Sequence, residues 1–200
     1  MDISNFEKLP EDKKQTILSA CILCFGTSGY EKTSIAEIAK AAGISKASVF
    51  SYFGTKQDLF MYIVQYTWGE LEEVFAEGSW DYFQSLTQFI KAHFQIIEKH
   101  PGMFNFMRMV NKLVAKEALD ELAELSRWHL ERYERTIFAR VNWGMFQEGY
   151  AKETIKNLTI WVGMSCVMEL DKKMGIEKLV KETEKYFDIL KKSLYKPEYI

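Results

Sequence analysis

The chain has 200 residues, 48% of them apolar and 27% charged, with a formal net charge of −2. That fits one sizeable core, or a small head on a larger body, and it excludes a bulk attraction to nucleic acid, so any such signal must be local. Three prolines and eleven glycines leave little room for loops, which favours an all-α protein.

The N-terminal stretch MDISNFEKLPEDKK is polar and acidic, unlike a signal peptide. The longest apolar run, LTIWVGMSCVMEL from Leu158, is shorter than the roughly 20 residues a membrane span needs. A cytoplasmic protein is expected. A first helix is predicted over Glu11–Phe25, with Ile17, Ala20, Cys21, Cys24 and Phe25 at helical spacing and with Gly26 and Gly29 as stops. Cys21 and Cys24 form a C-x-x-C, but no second pair completes a metal site, and buried free thiols are the expectation.

In TSIAEIAKAAGI, Ser34 and Glu37 have the spacing of a capping box, and the second helix ends at Gly43. A third helix opens at Ser45 and closes near Tyr52. Thr55 with Asp58 gives another box, opening a long fourth helix with Leu59, Ile63, Thr67, Leu71 and Val74 along one face. Two short helices across a tight glycine turn make a helix-turn-helix. Downstream, helices are predicted over Asp81–Lys99, within PGMFNFMRMVNK, over Lys116–Glu148 with Gly149 as stop, over Glu153–Lys172 and over Ile176–Tyr195. The expected architecture is a three-helix head, residues 1–57, joined to a helical-bundle effector and dimerisation domain, residues 58–200, about nine helices in all.

The stretch ILSACILCFGTSGYEKTSIAEIAKAAGISKASVFSYFGTKQDLF from Ile17 carries four features at fixed spacing: F-x-x-x-G-Y, T-S-x-x-x-I-A, A-G-I-S-K and S-Y-F-x-x-K-x-x-L. Over roughly residues 11–65 it resembles the N-terminal DNA-binding domain of the TetR family of bacterial transcriptional regulators. The resemblance implies a homodimeric repressor whose two heads enter successive major grooves of a palindromic DNA operator. It also implies a helical body that binds a small apolar or amphipathic molecule which lowers DNA affinity.

The third helix is then the reader. With Val49, Tyr52 or Phe53 anchored inward, Lys46, Ala47, Ser48, Phe50 and Ser51 are left to face DNA, and Ser45 and Tyr52 complete the candidate set. From Ile38 to Gln57 there are three lysines, Lys40, Lys46 and Lys56, and no acid. Lys56 sits at a helix start suited to phosphate, as do Thr33 and Ser34. There is no arginine before Arg108, so the bidentate arginine–guanine contact is unavailable to the head.

Flexible methionines and flat aromatics suit an adaptable pocket. The ligand-binding candidates are Phe94, Met103, Phe104, Phe106, Met107, Arg108, Trp128, Tyr133, Trp143, Trp161, Met164 and Met168. The last two helices are expected to make the dimer through Leu158, Val162, Gly163, Cys166 and Glu169. His93, His100 and His129 lack metal-ligand spacing, and no catalytic constellation is recognisable, so no metal, cofactor or enzyme activity is expected. The competing reading, favoured by an arginine-free head, is a helical ligand-binding or protein-interaction module that keeps the head fold without reading DNA.

Overall fold

The structure is a computed structural model that describes residues 3–74, 78–116, 118–168 and 176–200. The side chains of Tyr133, Met164, Cys166 and Met168, and the whole of Glu169, lie outside the described residues. Among the described residues ten α-helices follow in order: α1 (Ser4–Glu7), α2 (Glu11–Ser28), α3 (Ile35–Ala41), α4 (Lys46–Phe53), α5 (Lys56–Val74), α6 (Tyr82–Lys99), α7 (Met103–Ala115), α8 (Asp120–Phe138), α9 (Lys152–Met168) and α10 (Ile176–Leu194). No strand is present among the described residues. The chain is all-α, as expected. None of its described helices is long and apolar enough to cross a membrane.

The residues form two compact units, Met1–Val74 with Gln95–Glu131, and Phe75–Phe94 with Arg132–Ile200. In the first, α2 is the central pillar. It buries Ile17, Leu18, Cys21, Ile22 and Phe25. Gly26 does not stop this helix; α2 runs on to Ser28 and Gly29, with φ +81°, ends it. Gly26 instead lets α7 close in. A Cβ there would meet the Gly102 carbonyl oxygen at 2.7 Å and the Phe106 nitrogen at 3.0 Å. Across that contact Phe106 packs near Phe25 and Phe60, with centroids 6.5 Å and 5.9 Å away. Burial of both cysteines pushes their thiols up; both are free.

The first unit also holds a buried polar cluster. Glu70 on α5 accepts from the Tyr66 hydroxyl at 2.8 Å, from His100 Nε2 at 2.8 Å and from Lys99. His100 Nδ1 lies 3.4 Å from Ser19 Oγ on α2. Val74, expected on the buried face of this helix, is 44% exposed.

The second unit is built around aromatics. Tyr82 stacks on Phe138 at 5.1 Å and meets Trp143 and Phe146 at 5.4 Å each. Its hydroxyl donates to Thr159 Oγ1 at 2.6 Å, since the threonine proton goes to helix carbonyls. The helix expected over Lys116–Glu148 is α8 alone. Beyond Phe138 the chain leaves the helix because its backbone has other partners. Asn142 N–H donates to the Trp80 carbonyl at 2.9 Å, and Gln147 N–H to the Leu194 carbonyl at 2.9 Å. Phe146 forms an isolated antiparallel bridge with Tyr195. Gly163, expected at the dimer contact, points inward; its Cβ position lies 3.7 Å from both Ile90 and Phe187.

Candidate nucleic-acid interface

The head is assembled by short-range chemistry. Ser34 Oγ accepts the Glu37 N–H at 3.2 Å while the Glu37 carboxylate accepts the Ser34 N–H at 2.8 Å, a complete capping box on α3. The turn after α3 is a Schellman motif: Ile44 N–H reaches the Ala39 carbonyl at 3.0 Å and Gly43 N–H the Lys40 carbonyl at 3.3 Å. Gly43 takes φ +65°, a conformation that glycine adopts without a Cβ penalty. Ser45 then caps α4, accepting the Ser48 N–H at 3.0 Å.

Helix α4 is held by Val49 and Phe53, each 1% exposed. Phe53 lies 4.8 Å from Phe6 of α1, which also contacts Tyr52 at 6.1 Å and Tyr62 at 5.6 Å. This short N-terminal buttress was not predicted. Its one signal is a lone phenylalanine in a polar stretch, too weak to mark a helix of four residues.

With Val49 and Phe53 facing in, the opposite side of α4 presents Lys46, Ala47, Phe50 and Ser51, all exposed. Ser48 is half-buried and its hydroxyl sits 2.8 Å from Ser45 Oγ, so it is turned to the cap. Tyr52 is half-buried against Phe6. Ser34 and Ser45 are exposed cap residues. Lys56 Nζ donates to the Glu31 carbonyl at 3.1 Å and lies 4.7 Å from the Tyr30 ring centroid; an ammonium has three donors, and this uses one.

Thr33 departs from the expectation. It is 2% exposed, its hydroxyl is shared by the Gly29 and Cys24 carbonyls at 2.7 and 3.1 Å, and its N–H donates to Gly29. No donor remains for a phosphate, so Thr33 is a structural residue.

The acids that bracket the acid-free window are both committed to caps. Hydrogen bonds from the Ser34 backbone and side chain hold the Glu37 carboxyl below its ordinary range, and bonds from the Thr55 hydroxyl and N–H do the same for Asp58. Thr55 Oγ1 donates to Asp58 at 2.7 Å. Between them the surface offers lysines, small hydroxyls and one exposed aromatic ring. That arrangement can approach a polyanion closely without a facing carboxylate.

Residues 17–63 match the tetR family of bacterial regulatory proteins. That likeness covers the N-terminal segment of the chain. The HTH-type transcriptional repressor AcnR of Corynebacterium glutamicum is 31% identical over 69 residues, 34% of this chain and 37% of that protein. The regulator AcrR of Shigella flexneri is 38% identical over 50 residues, 25% of this chain and 23% of that protein. The chain thus spans well under half the length of the curated relatives it matches. Among solved structures, the TetR-family regulator PfmR of Thermus thermophilus superposes with a TM-score of 0.66 at 23% identity, covering 86% of this chain and 92% of that one. A TetR regulator from Haloarcula marismortui gives 0.70 at 16% identity, covering 94% and 100%. At those identities the likeness is one of fold.

The structure divides the candidate ligand residues between the two units. In the first unit, Met103 and Phe106 are core, 0% and 1% exposed, with Phe106 filling the contact with α2. Phe104 and Met107 are half-buried and Arg108 is exposed. Trp128 is half exposed and packs edge-on to His129 at 4.6 Å. A cleft of about 550 Å³ in this unit is lined by Ile3, Asp58, Met61, Tyr62, Gln65, Glu121, Glu124 and Leu125, none of them in the predicted set. In the second unit Phe94 is buried, Trp143 belongs to the aromatic cluster and Trp161 is 68% exposed. On α9, Leu158 and Ile160 are exposed beside Trp161, and Val162 is half-buried. Tyr186 and Ile189 are exposed on α10, which packs against α9. The sequence did not single out Ile160, Tyr186 or Ile189; the signal is the offset of Ile160 from the buried Ile155 and Thr159 on α9, and of Tyr186 and Ile189 from the buried stripe of Leu179, Thr183 and Phe187 on α10.

Proposed function

We propose that the protein is a transcriptional repressor that binds a palindromic DNA operator as a homodimer, with α4 in the major groove of each half-site. One observation carries this reading: Val49 and Phe53 lock α4 so that Lys46, Ala47, Phe50 and Ser51 face outward in an acid-free window. A helix fits the major groove, where base edges carry distinguishable patterns. The division at residue 57 between head and body belongs to the same proposal.

The homodimer is supported by the apolar residues that α9 and α10 leave exposed, since large exposed apolar surface marks association sites. An isologous contact closes such a dimer on a two-fold axis. A small apolar or amphipathic effector completes the proposal, with the half-buried Phe104 and Met107 of α7 as the first candidates to test.

The experiment is a selection of duplex DNA from a randomised pool with the full chain, followed by titration of the selected site. Lys56→Ala is expected to weaken binding to all sequences alike and to reduce the slope of log affinity against log salt by about one. A sequence-selective loss with an unchanged slope contradicts the phosphate role of Lys56. Failure of the wild type to select any duplex would falsify the repressor reading and favour a helical binding module.

A further inference from the structure

The outward face of α4 carries an unusual set of groups for reading bases. The helix is KASVFSYF, without arginine, asparagine, glutamine, aspartate or glutamate. Direct readout uses arginine or lysine for guanine, asparagine or glutamine for adenine, and acids for cytosine. Of these only Lys46 is present. Ser48 has its hydroxyl turned to the Ser45 cap, which leaves Ser51 as the free hydroxyl of the outward face.

What remains is apolar. Phe50 is 46% exposed, and the Lys46 ammonium lies 6.0 Å from its ring centroid. Ala47, one turn earlier on the same side, is also exposed. A phenylalanine left open to water on a helix whose Val49 and Phe53 are fully buried gains from covering its ring. In the major groove one base presents an apolar group, the C5 methyl of thymine. Lys46 beside the ring brings a cation to the same edge and suits a flanking guanine or phosphate.

We propose that Phe50 is a specificity-determining residue that reads the C5 methyl group of a thymine in each operator half-site. This rests on the reading of α4 as the groove helix. The carboxylates that would repel the duplex are absent from α4, and the ring is already exposed, so contact requires no rearrangement of the head.

The test uses the duplex that the full-length wild type selects from a randomised pool. Each thymine is replaced in turn by deoxyuridine, which keeps base pairing and removes only the methyl group, and binding is measured by fluorescence anisotropy. One thymine per half-site is expected at which deoxyuridine weakens wild-type binding about fourfold, the value of burying one methyl-sized group. Phe50→Ala is expected to bind the thymine and deoxyuridine duplexes equally, with the wild-type salt slope. Phe50→Leu, which keeps an apolar side chain, should retain part of the discrimination. A selected site in which no thymine methyl matters overturns the inference and leaves the repressor reading standing. Discrimination that survives in Phe50→Ala also overturns it. If the wild type selects no duplex, the groove reading falls and the inference falls with it.

Discussion

Replacing Glu70 by glutamine removes a buried charge while keeping the size of the side chain. Glu70 is 8% exposed and receives hydrogen bonds from Tyr66, His100 and Lys99. Burial pushes its carboxyl up, but the bonds from His100, Lys99 and Tyr66 outweigh that and bring it down to about 2, against an ordinary 4.5. A carboxyl that ionises one pH unit lower in the folded chain than in the unfolded one favours folding by about 1.4 kcal/mol. Ionised Glu70 therefore stabilises the fold by roughly 3 kcal/mol at neutral pH. A carboxyl depressed on folding contributes fully above its unfolded value and loses that contribution as pH falls toward its folded value. Urea unfolding at pH 7 should therefore show Glu70→Gln less stable by roughly 3 kcal/mol. The gap should narrow below pH 4.5 and close toward pH 2. Equal stability at pH 7, or a gap unchanged between pH 7 and pH 3, refutes the claim that the charge, and not the shape of the side chain, holds α2, α5 and the end of α6 together.

Gly26→Ala should cost about 1–3 kcal/mol, because the new Cβ meets backbone of Gly102 and Phe106 that no rotamer change can move; an unchanged melting temperature would mean that α7 does not approach α2 so closely. Thr33→Val should lower stability by about 1 kcal/mol and leave the salt dependence of DNA binding untouched, as its hydroxyl serves the Gly29 and Cys24 carbonyls. A reduced salt slope would restore Thr33 as a phosphate ligand. Trp161→Glu should turn a dimer into a monomer in analytical ultracentrifugation at micromolar concentration with little change in melting temperature, since the side chain is 68% exposed. A monomeric wild type, or a variant that stays dimeric, contradicts the α9–α10 interface.

The head was legible because its instructions are local. Both capping boxes and the Gly43 turn are set by residues within five positions of each other, and all three form as read. The errors come from distant partners. Gly26 reads as a stop until Gly102 is brought against it, and residues beyond Phe138 keep a helical pattern that the Leu194–Tyr195 segment overrides. Thr33 reads as a surface hydroxyl until carbonyls nine and four residues earlier fold over it. On α9 the run WVGMSCVM is apolar on every side, so no period tells its inward Gly163 from its outward Trp161. The methionine- and aromatic-rich α7 was similarly ambiguous: composition does not separate a filled core contact, as Phe106 makes, from a pocket wall.

The central claim is that α4 reads the major groove from a two-fold symmetric dimer. A hydroxyl-radical footprint of the full chain on its selected duplex tests it most directly, with the stoichiometry measured on the same sample. Two chains per duplex and two protected segments centred about 34 Å apart, one helical turn, are expected. A single protected segment with one chain bound, or a uniform protection that disappears with added salt, would contradict it.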